Sequence, residues 1–176
     1  MKKIALLSFG IADGYCSPAS NRVVTNGPEL YRKVLEHLAA SNNQVGAYVA
    51  INNPADTSNS VNVDKNLQPT KIINLKLCTD QFLHVNNELS LTDYEGDTML
   101  FNGNQLDFII RPKDFDIHIC GIDINGVFID AIDSLLDLGY HVTVYSDMIK
   151  PFSKKTIMHI KHRNIKFVSA KSVCLK

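Results

Sequence analysis

The sequence predicts a three-layer α/β/α protein, with a mostly parallel sheet of about six strands covered by helices on both faces. The clearest observation is residues 115–147, FDIHICGIDINGVFIDAIDSLLDLGYHVTVYSD, which read as strand, turn, helix, turn, strand. Short links on either side of a single helix oblige its two flanking strands to run parallel. A second observation is that strand and helix patterns alternate along the whole chain, as in a parallel sheet with helices on both sides. A third is length: 176 residues with no internal repeat suit a single domain, residues 1–176, around one core.

Taken in order, residues 4–9 form an apolar first strand, and residues 10–26 form a loop rich in Gly, Ser, Pro and Asn. Pro28 opens a helix in its first turn, where a missing N–H is harmless. Leu30, Val34, Leu35 and Leu38 fall on one face of that helix, which ends at residues 41–43. Residues 45–51 form the second strand, and residues 52–64 are polar, aperiodic and expected to be an exposed loop. Residues 71–77 read equally as a short strand or an arm. Residues 97–101 are extended, and residues 105–111 are helical up to Pro112. Residues 117–120 are an apolar strand that ends at Gly121, before a helix starting near Asn125, a residue suited to cap it. Phe128, Ile132, Leu135 and Leu136 share the inner face of that helix. Asp130, Asp133 and Asp137 share the outer face, and Gly139 supplies the left-handed stop. An extended run follows at residues 141–145, then a last helix at residues 153–162 with Ser153 as cap, and a last strand at residues 165–169.

The composition, 45% apolar and 20% charged, is that of an ordinary globular protein. Eighteen Lys and Arg balance eighteen Asp and Glu, so no net field favours nucleic acid or an anionic membrane, and neither partner is expected. The apolar run after Met1 breaks at residue 8, too early for a signal peptide, and no stretch reaches transmembrane length. Cys16, Cys78, Cys120 and Cys174 lack CxxC or metal spacing, so reduced thiols and a cytoplasmic location are expected. No cofactor and no bound metal are expected.

From residues 106 to 168 the order helix, strand, elbow, helix, strand-plus-Asp resembles the isochorismatase-like cysteine hydrolases, which include nicotinamidases and N-carbamoylsarcosine amidases. Here the family's "G-V-x-T-x-x-C-V" elbow lies over residues leading to Val127. The N-terminal ALLSFGIADGYC is similar to the family's "A-L-L-V-I-D-M-Q-N-D-F-C", and residues 88–97 to its "E-L…G-D" turn. The resemblance implies a Rossmann-like α/β fold and a homo-oligomer. It also implies an Asp-Lys-Cys triad, in which a cysteine thiolate attacks a carbonyl carbon while the aspartate moves the proton.

In this chain the triad positions do not carry those groups. The cysteine position falls on Val127, the aspartate position on Gly10 and the neighbouring glutamine on Ala12. No Lys lies between Gly96-Asp97 and Phe101-Asn102-Gly103, and no "D-x-H" metal pair stands at residues 51–53.

Two functions are compatible with these losses. One is a catalytically inactive protein that holds a small anionic or carbonyl ligand, or serves as a scaffold, with helix N–H groups at Gly126 and Val127. Asp13, Tyr15, Phe101, Asn102, Asp123 and Asn125 complete its candidate ligand-binding residues. The other is a hydrolase of a small amide or enol ether that has rebuilt its site from Asp13, Asp123 or Cys120. Each of these residues also has a plainer role. Cys120 reads as packed core, Cys16 as an inert surface thiol, Asp123 as a turn or cap residue, Asp147 as a turn residue and His118 as a satisfied core histidine.

Overall fold

The computed structural model describes residues 2–11, 16, 25–41, 44–52, 72–76, 88–92, 98–102, 110–122, 127–150 and 154–173. Eight strands form one sheet: β1 (Lys3–Phe9), β2 (Val45–Asn52), β3 (Ile72–Lys76), β4 (Glu88–Thr92), β5 (Thr98–Asn102), β6 (Phe115–Ile122), β7 (Val142–Lys150) and β8 (Lys166–Val168). Their order is β5-β4-β3-β2-β1-β6-β7-β8. The six strands from β3 to β8 across the sheet are mutually parallel. β4 and β5 extend one edge as antiparallel neighbours, so the sheet is wider than the sequence predicts. Within the uncertain segment at residues 71–77, Ile72–Lys76 is a sheet strand. The predicted helix at residues 105–111 lies mostly outside the described residues.

Three helices cover the sheet: α1 (Gly27–Ala40), α2 (Val127–Asp137) and α3 (Lys154–His162), and a 3-10 turn follows at Ala170–Ser172. One face buries Ala5, Leu7, Ile117, Ile119 and Val144 against Phe128, Ile132 and Leu135 of α2 and Ile160 of α3. The other buries Leu6, Tyr48, Cys120 and Tyr145 against Leu30 and Val34 of α1 and Ala170 of the 3-10 turn. Alternate residues along β1 and β6 enter opposite layers, as the two-residue period of a strand requires. Strand pairs that are apolar on both faces have to lie centrally, and β1 and β6 do.

Local chemistry sets the element ends. Gly139 takes φ 83° after α2, and the N–H groups of Gly139 and Tyr140 return to the carbonyls of Leu136 and Leu135. These are the paired bonds of a Schellman stop. Asn164 does the same after α3, at φ 53° with Ile165 N–H bonded to the Ile160 carbonyl. Asn26, at φ 65°, precedes α1 and accepts the Leu30 N–H on its carbonyl.

Three local readings need correction. β6 does not stop at Gly121 but runs through it to Ile122, because the ladder with β1 continues to the Phe9–Gly121 pair. β7 runs on past Asp147 to Lys150: its pairing with β6 lapses after Ile119–Val144 and resumes at Gly121–Ile149, leaving residues 145–148 as a wide bulge. The inner row of α1 is Leu30, Val34 and His37, while Leu35 is only half-buried. Among the described residues no helix is long and apolar enough to cross a membrane.

Candidate functional site

In an open parallel sheet the ligand edge lies at the carboxyl ends of the strands, where neighbouring connections leave in opposite directions. Here β1 and β6 are the central neighbours, paired from Lys3–Phe115 to Phe9–Gly121. At the end of β1 the chain bends at Gly10, which is buried and held at φ 61°. At the end of β6 Gly121 takes φ 119°, and α2 begins shortly beyond at Val127. The rings of Phe9 and Phe128 meet edge to face, with centroids 4.9 Å apart. Gly10 follows one of these rings and Val127 precedes the other, so the Phe9–Phe128 contact draws both positions to one place. Ile11 and Ile122, both buried, turn toward the α1 layer beside it. The described floor of this edge is therefore apolar.

The polar groups lie deeper, on the α1 face. Ser8 Oγ and Tyr48 Oη are 2.7 Å apart, and His118 Nδ1 and Tyr145 Oη are 2.6 Å apart, both pairs buried. The Tyr145 ring is flanked by two imidazoles, each edge to face, His37 at 4.8 Å and His118 at 5.1 Å between centroids. Burial, with the neighbouring His37 charge second, pushes the His118 pKa down to about 4, and burial also lowers that of His37. Both imidazoles are thus neutral near pH 7, as a buried ring needs to be. Cys120 is fully buried in the same layer, and burial drives its thiol pKa far up. A thiol so disfavoured as thiolate is a poor nucleophile.

No protein-family model matches the chain, and no curated protein matches it significantly in sequence. Solved structures do match over nearly its whole length. The MAR1 ribonuclease from Caenorhabditis elegans superposes with a TM-score of 0.67 at 11% identity, covering 99% of this chain and 80% of that one. An isochorismatase family protein from Desulfovibrio vulgaris gives 0.63 at 14% identity, over 98% and 97%. The N-carbamoylsarcosine amidase from Thermoplasma acidophilum gives 0.62 at 13% identity, over 96% of each chain. The fold is that of the isochorismatase-like hydrolases.

Within this isochorismatase-like fold, Gly10 and Val127 occupy the ends of neighbouring elements at one edge. Phe101 and Asn102 end β5 and lie on the same edge, since β5 runs parallel to β3 through antiparallel β4. Four strand spacings separate β5 from β1, about 19 Å. Asp13, Tyr15, Asp123, Asn125 and Gly126 lie outside the described residues.

Cys16 is not a surface thiol: it is buried in the α1 layer, in one apolar cluster with Ile11, Ile122 and Cys120. Asp147 is a structural residue, as its position in the chain suggested. Its carboxylate accepts Ser169 Oγ–H at 2.6 Å and the Ala170 N–H at 2.8 Å, holding the 3-10 turn against the bulge of β7. Partial burial opposes its ionisation, but these two bonds, with Lys33 nearby, outweigh that and lower its pKa. His37 was missed at the sequence level. Its spacing of three from Val34 on the inner row of α1 is the signal that would have found it. Among the described residues no cluster of three His, Cys, Asp or Glu could hold a metal.

Proposed function

We propose that this chain keeps the ligand edge of the isochorismatase-like fold without its thiol chemistry, and that it binds a small anionic or carbonyl-bearing molecule where β1 and β6 end. One observation carries the reading: an apolar valine stands at the start of α2, while Cys120, the nearest described thiol, is sealed in the α1 layer as a neutral thiol. The N–H groups that open an α-helix are unpaired within it and suit an anion or a polarised carbonyl. At the end of β1, the position where the resemblance implies an aspartate is Gly10, which brings no charge. The structural neighbours named above include an amidase and a ribonuclease; activities so different fix no substrate for this chain.

The test is an assay of hydrolysis with nicotinamide and with N-carbamoylsarcosine, alongside native mass spectrometry of freshly purified protein. No hydrolysis and a co-purified small molecule are expected. Val127→Cys is expected to leave hydrolysis at the wild-type baseline: the helix start lowers the new thiol's pKa somewhat, but no described group there takes or returns a proton. Measurable wild-type turnover that Cys120→Ala or Asp123→Ala abolishes would establish a rebuilt active site instead. We further propose a homo-oligomer, and a monomer mass by light scattering at high micromolar concentration would refute it.

A further inference from the structure

Helices α2 and α3 are neighbours on one face of the sheet. Each links two adjacent parallel strands, β6 to β7 and β7 to β8, so the two helices run side by side in the same direction. Their inner rows, Phe128, Ile132 and Leu135 on α2 and Ile160 on α3, enter one core. Their outer rows carry opposite charge. The charged side chains of α2 are Asp130, Asp133 and Asp137, with no basic residue, whereas α3 carries lysines and histidines and no acidic residue. Asp133 is engaged within the chain, by His159 at 3.1 Å and Arg163 at 2.9 Å. Asp130 and Asp137 on α2, and Lys154, Lys155 and Lys161 on α3, are exposed and enter no ion pair among the described residues. Met158 lies between these lysines on the outer row of α3, 70% exposed.

We propose that this outer face is the contact between two copies of the chain, which rests on the homo-oligomer reading above and gives that oligomer its surface. The two copies pair about a two-fold axis that lies in the contact plane, parallel to the helices. Such an axis lays α2 of each copy on α3 of the other. An axis at right angles in the same plane would lay α2 on α2 and α3 on α3, acid on acid and base on base, so charge selects the first. The register also fits. The His159–Asp133 contact sets α3 alongside α2 at an offset of 26 positions. Asp130 therefore stands level with Thr156, beside Lys155, and Asp137 stands level with Arg163, near Lys161. An axis parallel to the helices keeps these levels, so each aspartate faces a lysine of the other copy, and symmetry makes every pair twice. Each Met158 is covered as the faces meet. A partner of one sign would satisfy one helix and be repelled by the other, which disfavours a polyanion or an anionic membrane. Helices of 11 and 9 residues offer a face of about 300–400 Å², below the roughly 800 Å² per partner of a standard interface. The dimer is accordingly weak, and its exposed ion pairs are open to screening by salt.

The test is sedimentation velocity at high micromolar protein concentration, in about 50 mM and about 500 mM salt. A dimer is expected at low salt and a shift toward monomer at high salt. The variants Asp130→Lys/Asp137→Lys and Lys155→Glu/Lys161→Glu should each associate about tenfold more weakly or worse, since each puts like charge on both helices. Mixed in equal amounts, the two variants should recover a dimer, because each then offers the other the opposite charge at every pair. Arg32→Glu on α1, on the opposite face of the sheet, should dimerise as the wild type does. Circular dichroism confirms that each variant is folded. A wild-type dimer indifferent to both reversals, or a mixture that stays monomeric, would overturn this interface and leave the homo-oligomer standing. A wild-type monomer at low salt would overturn both.

Discussion

Gly121→Ala is expected to be the most damaging single-methyl substitution in the described structure. An ideal Cβ on Gly121 would stand 2.2 Å from the carbonyl oxygen of Phe9 and 2.6 Å from its backbone nitrogen, and the residue holds φ 119°. The obstructing atoms belong to the paired strand itself, so relief requires β1 and β6 to separate at their ends. Separation there would also break the Phe9–Phe128 contact. A loss above about 4 kcal/mol is expected, in the range reached only by mutations that break a core or a strained backbone site. Against a typical total of about 5–15 kcal/mol, that removes from about a quarter to most of the stability. Gly139→Ala is the internal control. Gly139 also has positive φ, 83°, but its Cβ would meet nothing within 4 Å. Only the left-handed strain remains, about 1–2 kcal/mol. Urea midpoints of the two variants check the contrast, and comparable losses would show that close approach at Gly121 is not what matters.

The second large effect is loss of stability in mild acid. His118 has a folded pKa of about 4 against an ordinary value of 6.5. The folded state therefore refuses a proton that the unfolded chain accepts. This stability is complete above pH 6.5 and drains away as the pH falls toward 4. The interval corresponds to about 3 kcal/mol for one fully shifted imidazole. His37 is shifted in the same direction by burial and adds to the slope. Asp147, a carboxylate with a lowered pKa, contributes only further down, since its stabilisation is lost as the pH drops below the ordinary carboxylate value. His118→Asn keeps an oxygen acceptor near the Nδ1 position for the Tyr145 hydroxyl but cannot titrate. Its stability between pH 6.5 and 4 should fall less steeply than that of the wild type, as measured by denaturant unfolding at a series of pH values. Parallel curves for the two proteins would remove His118 as the cause.

The parts of the fold that were legible in the sequence are those where one residue pattern has one structural outcome. The amphipathic stripe of α2, its Gly139 stop and the parallel β6–β7 pair follow directly from spacing. β3 did not declare itself. Ile72–Lys76 is five residues long with polar Asn74 and Lys76, and its strand character comes from the ladder partners on both sides, which lie far away in sequence. Gly121 read as punctuation, yet the tight approach of Phe9 keeps it inside the ladder. Asp147 read as a turn residue after a strand, yet β7 continues through it to Lys150, and Met148 and Ile149 lie in the core. At the candidate site, the absence of a thiol at position 127 was visible in the residue type alone. The burial of Cys16 and the edge-to-face contact of His37 with Tyr145 were not, because both depend on packing between residues distant in sequence.

The strand order also dictates a timetable. β1 is made first and sits in the middle of the sheet, yet its second neighbour, β6, is supplied by residues more than a hundred positions later. Strands β1 to β5 can pair among themselves as soon as residue 102 is available. Until residue 122 follows, the inner edge of β1 stands open, with an apolar run of Ala5, Leu6 and Leu7 on an unpaired ladder. Such an edge recruits strands from other chains. A nascent or truncated chain that stops before β6 is therefore a sticky half-sheet, and completion of β6 is the event that closes it.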